Sequence, residues 1–379
     1  MELTVAQARA QAQRRLPRIL FDYLEGGALT ETTLRANEAD FAKFQLEQRV
    51  LTGPLTPSLK TKLLGRPRSL PFMLGPVGLL GLYAGDGELK AARAAAKAGI
   101  PFCLSSFSIA SVTRLTKQVE SQPVFQLYML KDRALSASML EQAQAAGVET
   151  LFLTVDCAVT GIRERDIRNG FRSRTRLSPG LALRLLRKPR WCFSLLRHGK
   201  WKIEALANNK AFKGGVLAQA AALSSQIDPT LNWDDLTWLR TQWKGKIMLK
   251  GILHPEDAFW AQQVGMDGII VSNHGGRQLD GASSTISRLA EIVAAAPNLE
   301  ILVDGGFRRG ADILKALALG ASGVLLGRAS AYALAAQGEA GVSAMIATLA
   351  KEMETAMVLM GCPDIATLRA EGARFIRQL

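Results

Sequence analysis

The chain has 379 residues, 48% of them apolar, with four cysteines and a formal charge of +14. That length and composition fit one large α/β barrel with extensions, or two medium domains, around a sizeable core. Cys103, Cys157, Cys192 and Cys362 show no C-x-x-C spacing, which argues against a disulfide framework or a zinc site and makes a reducing compartment the default. Met1 to Arg15 carries no apolar core followed by a cleavage site, so no secretory signal is expected, and no uncharged apolar run approaches the length of a spanning helix. The positive charge is local: Ile167 to Ile203 holds eleven Lys/Arg and no Asp/Glu.

In chain order, Thr4 to Gly26 reads as one helix, with alanines early and Leu16, Ile19, Leu20, Tyr23 and Leu24 at helical spacing before Gly26-Gly27. Tyr23 is either core or a phenol offered to a ligand. A second helical piece covers Thr30 to Phe44. After a Pro/Gly-punctuated loop a rhythm begins. Apolar runs at Pro71–Gly75, Pro101–Ser105, Val124–Tyr128, Leu151–Asp156, Ile247–Gly251, Gly268–Val271, Ile301–Asp304 and Gly323–Gly327 alternate with helical stretches. Those stretches are Leu89–Ala98, Val112–Val119, Leu135–Ala146, Trp233–Trp243, one from Pro255, Thr285–Ala295, Ala311–Leu319 and Ala329–Met360.

Eight runs, each followed by a helix, predict an α/β fold of the (β/α)8 TIM-barrel type. The alternative, an open doubly wound sheet, lacks its fingerprint: Gly75-Pro76-Val77-Gly78 is not G-x-G-x-x-G. The expected organisation is a single domain over 1–379, with an N-terminal helical extension (1–66), the barrel (67–360) and a basic insert (168–210) after the fourth strand. In such barrels chemistry sits at the C-terminal ends of the strands. Those ends carry Gly78, Ser105, Gln126, Tyr128, Thr154, Asp156, Lys250, His274, Arg277, Asp304 and Arg328.

Four of these ends carry the most informative chemistry. The string Ser272-Asn273-His274-Gly275-Gly276-Arg277-Gln278-Leu279-Asp280 follows the sixth run. His274 can take a proton near neutral pH, and a guanidinium three residues on can grip a carboxylate through paired hydrogen bonds. The bland reading is a strand-end histidine that caps a loop. Asp304-Gly305-Gly306-Phe307-Arg308-Arg309-Gly310 and Gly327-Arg328 end the seventh and eighth runs, the usual phosphate loops of such barrels. With no Walker lysine motif, they suit a monophosphate, to which Arg308 and Arg328 add charge. Lys250 faces the barrel mouth, where it is awkward to bury without an anion; a reduced flavin ring would serve, and a Schiff-base role competes.

At this point the chain resembles the FMN-dependent (S)-2-hydroxy-acid dehydrogenase/oxidase family over nearly its whole length. The markers are Phe21-Asp22-Tyr23-Leu24-Glu25-Gly26-Gly27-Ala28, Phe125-Gln126-Leu127-Tyr128, Thr154-Val155-Asp156, Ser272 to Asp280 and Asp304 to Gly310. Gly161-Ile162-Arg163-Glu164-Arg165-Asp166 is most similar to the membrane-associated mandelate and lactate branch. The resemblance implies FMN as cofactor, and no metal is expected. It makes His274 the base, with Asp156 stabilising its imidazolium. Arg277 and Arg163 would hold the substrate carboxylate, and Tyr23 and Tyr128 would also bind substrate. Lys250 would sit by the flavin N1–C2=O edge, with Gly78, Ser105, Gln126 and Thr154 at the ring. Asp304 would meet the ribityl chain, and Gly306, Arg308, Gly327 and Arg328 the phosphate. A homo-tetramer is the family tendency.

Two positions depart from the pattern. Phe107 stands where the glycolate oxidase branch has tryptophan, and Gly78 where oxidases usually have alanine. With the insert, they lean toward a dehydrogenase with a quinone-like acceptor rather than an oxidase using oxygen. In the insert, Leu181, Leu183, Leu185, Leu186, Trp191, Phe193, Leu195, Leu196 and Trp201 interleave with Arg184, Arg187, Lys188, Arg190, Arg197, Lys200 and Lys202. That mixture over 168–203 suits an anionic membrane surface, placing the protein peripherally on the inner, cytoplasmic face of the cell membrane. Rival readings of the insert are a solvated loop, an intersubunit segment, or a nucleic-acid-binding module, though no nucleic acid is expected. A rival for the barrel is a flavin enzyme acting on an isoprenoid diphosphate or peptide-derived substrate; the arginines suited to a carboxylate speak against the diphosphate.

Overall fold

Each apolar run becomes one short strand: β1 Phe72–Leu74, β2 Cys103–Ser105, β3 Val124–Tyr128, β4 Thr150–Thr154, β5 Lys246–Ile252, β6 Gly268–Val271, β7 Glu300–Val303 and β8 Gly323–Leu326. The computed structural model describes residues 2–171, 187–206 and 212–379. The strands pair in parallel in the order β1-β8-β7-β6-β5-β4-β3-β2. Phe102 bridges to Leu74, whose N–H donates to the Pro101 carbonyl at 3.0 Å, so the end strands meet. The result is the expected (β/α)8 barrel with its helices outside.

Side chains alternate across a strand, so every second residue points into the barrel. Met73, Cys103, Val124, Phe152, Met248, Ile270, Leu302 and Leu325, one from each strand, form a single buried apolar layer. Leu63 and Leu64 join it from a hairpin of Thr61–Leu63 and Arg66–Arg68. The hairpin closes the N-terminal end: the Leu64 N–H donates to Glu300 at the start of β7, and Leu63 packs against Gly323 at the start of β8. Two residues further along each strand, the same alternation places Gly75, Ser105, Gln126, Thr154, Lys250, Ser272, Asp304 and Gly327 toward the other end.

The N-terminal segment lies over that other end. The expected single helix from Thr4 to Gly26 is two, Val5–Arg15 and Arg18–Glu25. Pro17 causes the break: the residue before a proline is pushed out of the helical region, and Leu16 is extended at ψ 149°. The next piece is shorter than expected, a helix over Thr32–Ala39 followed by a 3₁₀ turn. Phe44 already belongs to a strand, Phe44–Leu46, which pairs antiparallel with Ile376–Gln378. The last long helix, Arg328–Met360, is interrupted at Gly338.

Part of the insert, including Arg172, Leu181, Leu183, Arg184, Leu185 and Leu186, lies outside the described residues. Its described part includes a helix, Pro189–His198. Trp191 and Leu195 of that helix are buried, and the Trp191 indole N–H donates to the Leu82 carbonyl at 2.8 Å. Phe193, Leu196 and nearby Trp201 face outward, all at least 60% exposed. Among the described residues no helix is long and apolar enough to cross a membrane.

Candidate active site

All the site residues expected from the sequence except Asp156 line one cleft at the C-terminal end of the barrel; Asp156 stands behind His274. The turn after β6 sets His274. His274, Gly275 and Gly276 all adopt positive φ, at 57°, 64° and 72°. For a histidine the left-handed region costs about 1–2 kcal/mol, so the turn must be held by its surroundings. Gly276 N–H donates to both the main-chain and side-chain oxygens of Asn273 at 3.0 Å. Asn273 is clamped by reciprocal amide hydrogen bonds to buried Asn37, and the Ala28 N–H donates to the Gly276 carbonyl. The N-terminal segment therefore fastens the loop that carries the histidine.

His274 Nδ1 lies 2.9 Å from Asp156 Oδ1. Burial disfavours an ionised Asp156, but His274, Lys250 and Cys157 outweigh it and hold the carboxyl below its usual range. An ionised carboxylate can only accept, so the shared proton sits on Nδ1. Burial, opposed by Asp156 and reinforced by Lys250 and Arg163, holds the imidazole below its ordinary pKa. The ring is therefore neutral, and Nε2 keeps its lone pair. Nε2 stands 3.3 Å from the Tyr128 hydroxyl. Burial pushes that phenol well above its ordinary range, so Tyr128 keeps its proton and can donate. Gly251, at φ 118°, makes the dyad possible: a Cβ there would lie 2.6 Å from that of Asp156.

Arg277 uses Nη1 on the carbonyls of Tyr23, at 2.9 Å, and Gly26, and its guanidinium lies over the Tyr23 ring, 5.1 Å from the centroid. Tyr23 is fixed from its surroundings by Phe171, stacked at 4.1 Å. The rest of the Arg277 fork lines the cleft beside Arg163, a geometry suited to a carboxylate. Phe107 packs edge-on against Tyr128, with centroids 5.2 Å apart, and walls the same space.

Deeper in, Ser105 Oγ donates to Gln126 Oε1 at 2.8 Å and Gln126 Nε2 donates to Thr154 Oγ1 at 2.9 Å, a polar chain across β2, β3 and β4. Lys250, 4% exposed, sits 2.9 Å from both Asp304 Oδ2 and Ser272 Oγ. Burial works against its charge, but Asp304 and Asp156 raise it above the ordinary lysine range, so it is a fixed cation. Asp304 Oδ1 is buried with no hydrogen-bond partner among the described residues. Such an acceptor calls for a donor from a bound molecule, and a polyol hydroxyl fits.

At the far end, Gly306 has φ 83°, and a Cβ there would collide with the Asn37 carbonyl 1.8 Å away. Helix Arg328–Met360 starts here, so its first-turn amides face the cleft without helical partners. Arg308 and Arg328 line this end but are also engaged with protein groups. Arg308 pairs with Glu38 at 2.7 Å, and all three Arg328 nitrogens donate to the carbonyls of Leu24, Gly275 and Gly26. Burial, then Arg277, lowers Arg328 to about 10.

Sequence reasoning missed four contributors. Ser272 was within reach of the two-residue period, lying two before His274. Gln278, whose amide donates to the Asp156 and Val159 carbonyls at 2.7 and 2.9 Å, had only its place in the string after β6 to mark it. Cys157, with Sγ 3.3 Å from Asp156 Oδ1, and Phe171 gave no signal.

A family model described as FMN-dependent dehydrogenase matches residues 12–374. The chain is 46% identical to the L-lactate dehydrogenase of Pectobacterium atrosepticum over 96% of this chain and 94% of that one. It is also 46% identical to the L-lactate dehydrogenase of Pseudomonas syringae pv. syringae, over 96% of each. Among solved structures, a monotopic membrane protein (S)-mandelate dehydrogenase superposes with a TM-score of 0.93 at 40% identity over 99% of both chains. A mandelate oxidase with (S)-4-hydroxymandelic acid superposes at 0.85 and 36% identity, also over 99% of both.

Proposed function

The chain belongs to the FMN-dependent dehydrogenase family, with FMN as its cofactor, and we propose that it oxidises an (S)-2-hydroxy acid of the lactate or mandelate type to the 2-oxo acid. The observation that carries this reading is His274, its Nδ1 2.9 Å from Asp156 and its second nitrogen toward the same cleft that Arg277 and Arg163 line. A 2-hydroxy acid needs those two things together: a cationic grip on its carboxylate and a base at its hydroxyl-bearing carbon.

FMN, when bound, supplies the two-electron acceptor for that carbon. His274 Nε2 takes the proton the substrate releases, and Asp156 stabilises the imidazolium that results. Arg277 and Arg163 orient the carboxylate, while Tyr23 and Tyr128 position the rest of the substrate. Gly78, Ser105, Gln126 and Thr154 would flank the ring, with Lys250 at its N1–C2=O edge. Asp304 would accept from the ribityl chain through its unpartnered oxygen. Gly306, Arg308, Gly327 and Arg328 would hold the phosphate. Lactate is the first acid to try, because the relatives named L-lactate dehydrogenase are 45–46% identical against 40% for the mandelate dehydrogenase structure.

The acceptor in this reading is a membrane quinone, and the insert is what brings the protein to an anionic bilayer. Helix Pro189–His198 anchors inward through Trp191 and Leu195 and turns Phe193 and Leu196 outward among arginines, the composition of a headgroup-layer contact. Liposome pelleting that weakens with salt and is lost on deleting residues 172–202 supports this; pelleting that survives the deletion refutes it.

An anaerobic visible spectrum before and after (S)-lactate, and separately (S)-mandelate, tests the chemistry. Flavin bands that bleach with one acid support the reading and rank the substrates. Flavin bands that bleach with neither move the substrate outside this class.

A further inference from the structure

Cys157 has no part in the chemistry above, yet its thiol touches both members of the dyad. Cys157 Sγ lies 3.3 Å from Asp156 Oδ1 and 3.5 Å from His274 Nδ1, and those two atoms are 2.9 Å apart. The three make a triangle of a soft sulfur, an imidazole nitrogen and a carboxylate oxygen, the donor set zinc prefers. Tetrahedral zinc with ordinary bond lengths would need edges of roughly 3.6 Å for each sulfur edge and roughly 3.4 Å for the nitrogen–oxygen edge. The sulfur edges are within a few tenths of an ångström of that, and the short edge is one hydrogen bond that the ion would replace. A second observation points the same way: Asp156 Oδ2 is buried with no hydrogen-bond partner among the described residues, so the carboxylate has a spare ligand atom.

We propose that Cys157, His274 and Asp156 form an inhibitory site for a thiophilic divalent cation such as Zn²⁺, with solvent from the cleft as the fourth ligand. On binding, the thiol proton leaves to solvent. The imidazole proton moves from Nδ1 to Nε2, where the Tyr128 oxygen stands 3.3 Å away to accept it. Thiolate and carboxylate offset the charge of the ion, and Lys250, a cation that acts on the dyad, is paired with Asp304. Loading the site removes the lone pair on Nε2, so the metal switches off the base without displacing the cofactor. Spacing in the sequence could not show this, because Cys157 and His274 are 117 residues apart.

The test uses the FMN-loaded protein. Calorimetric titration with Zn²⁺ should give one site per chain and release of a proton. Anaerobic bleaching of the flavin by substrate should stop at the same stoichiometry and return with a chelator. Cys157→Val and Cys157→Ala, each measured against its own zinc-free bleaching rate, should need at least tenfold more Zn²⁺ to be blocked. Their flavin spectra report that they are folded. Variants that remain as zinc-sensitive as the parent overturn the proposal, as does stoichiometric zinc binding that leaves bleaching intact. Flavin that no 2-hydroxy acid bleaches even without zinc would instead count against the catalytic reading; the calorimetric loss in both variants would still decide the metal site.

Discussion

The two ends of the barrel are built from the same eight strands, yet they differ in every respect that matters. One step into the barrel the inward residues are Met73, Cys103, Val124, Phe152, Met248, Ile270, Leu302 and Leu325, sealed by Leu63 and Leu64. Two residues on, the same strands present Ser105, Gln126, Thr154, Lys250, Ser272 and Asp304. The apolar layer holds the strands together, and the polar layer holds reactive groups in place. A two-residue step along a strand separates the two jobs, so substitutions in the two layers should fail in different ways.

The largest separation is expected from His274→Ala. Loss of the base should slow anaerobic flavin reduction by roughly 10²–10⁴-fold with the flavin still bound and the melting curve little changed; reduction at the parent rate would remove His274 from the role. Phe152→Ala should do the reverse. It should cost about 3–5 kcal/mol in denaturant unfolding, while the folded fraction still bleaches with substrate. If it instead abolished reduction at full stability, the two layers would not be separable. Arg277→Met should act mainly on carboxylate binding, raising KM by roughly 10–100-fold as a charged hydrogen-bonded pair is lost. An unchanged KM would point to Arg163 as the principal grip.

A pH profile gives a smaller effect with a definite sign. Burial lowers His274 from 6.5, so the neutral base survives to lower pH than an ordinary imidazole would allow. kcat/KM should fall as pH drops through that lowered value, with its acid inflection below 6.5. An inflection above 6.5 would mean that Asp156 outweighs burial. Met248→Leu, a near volume-conserving change in the apolar layer, should be the mildest, under about 1.5 kcal/mol with no kinetic effect.

The polar layer and the fold were legible because they rest on short periods. Alternating runs and helices specify the barrel, and the strand ends specify where Lys250, His274 and Asp304 stand. What escaped were features set by contacts distant in sequence. Pro17 was legible in principle: its effect on Leu16 is local, and the alanine-rich pattern around it masked the break. The Thr61–Arg68 hairpin is too short to show alternation. Phe171 against Tyr23 and Cys157 against His274 are meetings that only the closed barrel brings about. The arginines at the phosphate end were expected to be simple charges. Arg328 also serves as a tie, with each nitrogen on a carbonyl of the N-terminal segment or the His274 loop.

That tie is one of several. Ala28 holds Gly276, Asn37 holds Asn273, Tyr23 and Gly26 hold Arg277, and Asp280 accepts from the Thr30 and Thr33 amides. The base and the carboxylate grip are thus both referenced to the first forty residues, not to the barrel alone. A nick or a loosened dock in that segment would leave a barrel with its apolar layer complete and its chemistry disarmed, since the His274 turn would be free to relax from its left-handed geometry. Intactness of the N-terminus would in this sense act as a safety catch on the site, although Leu16, Leu20, Phe21 and Leu24 of the same segment also belong to the outer core.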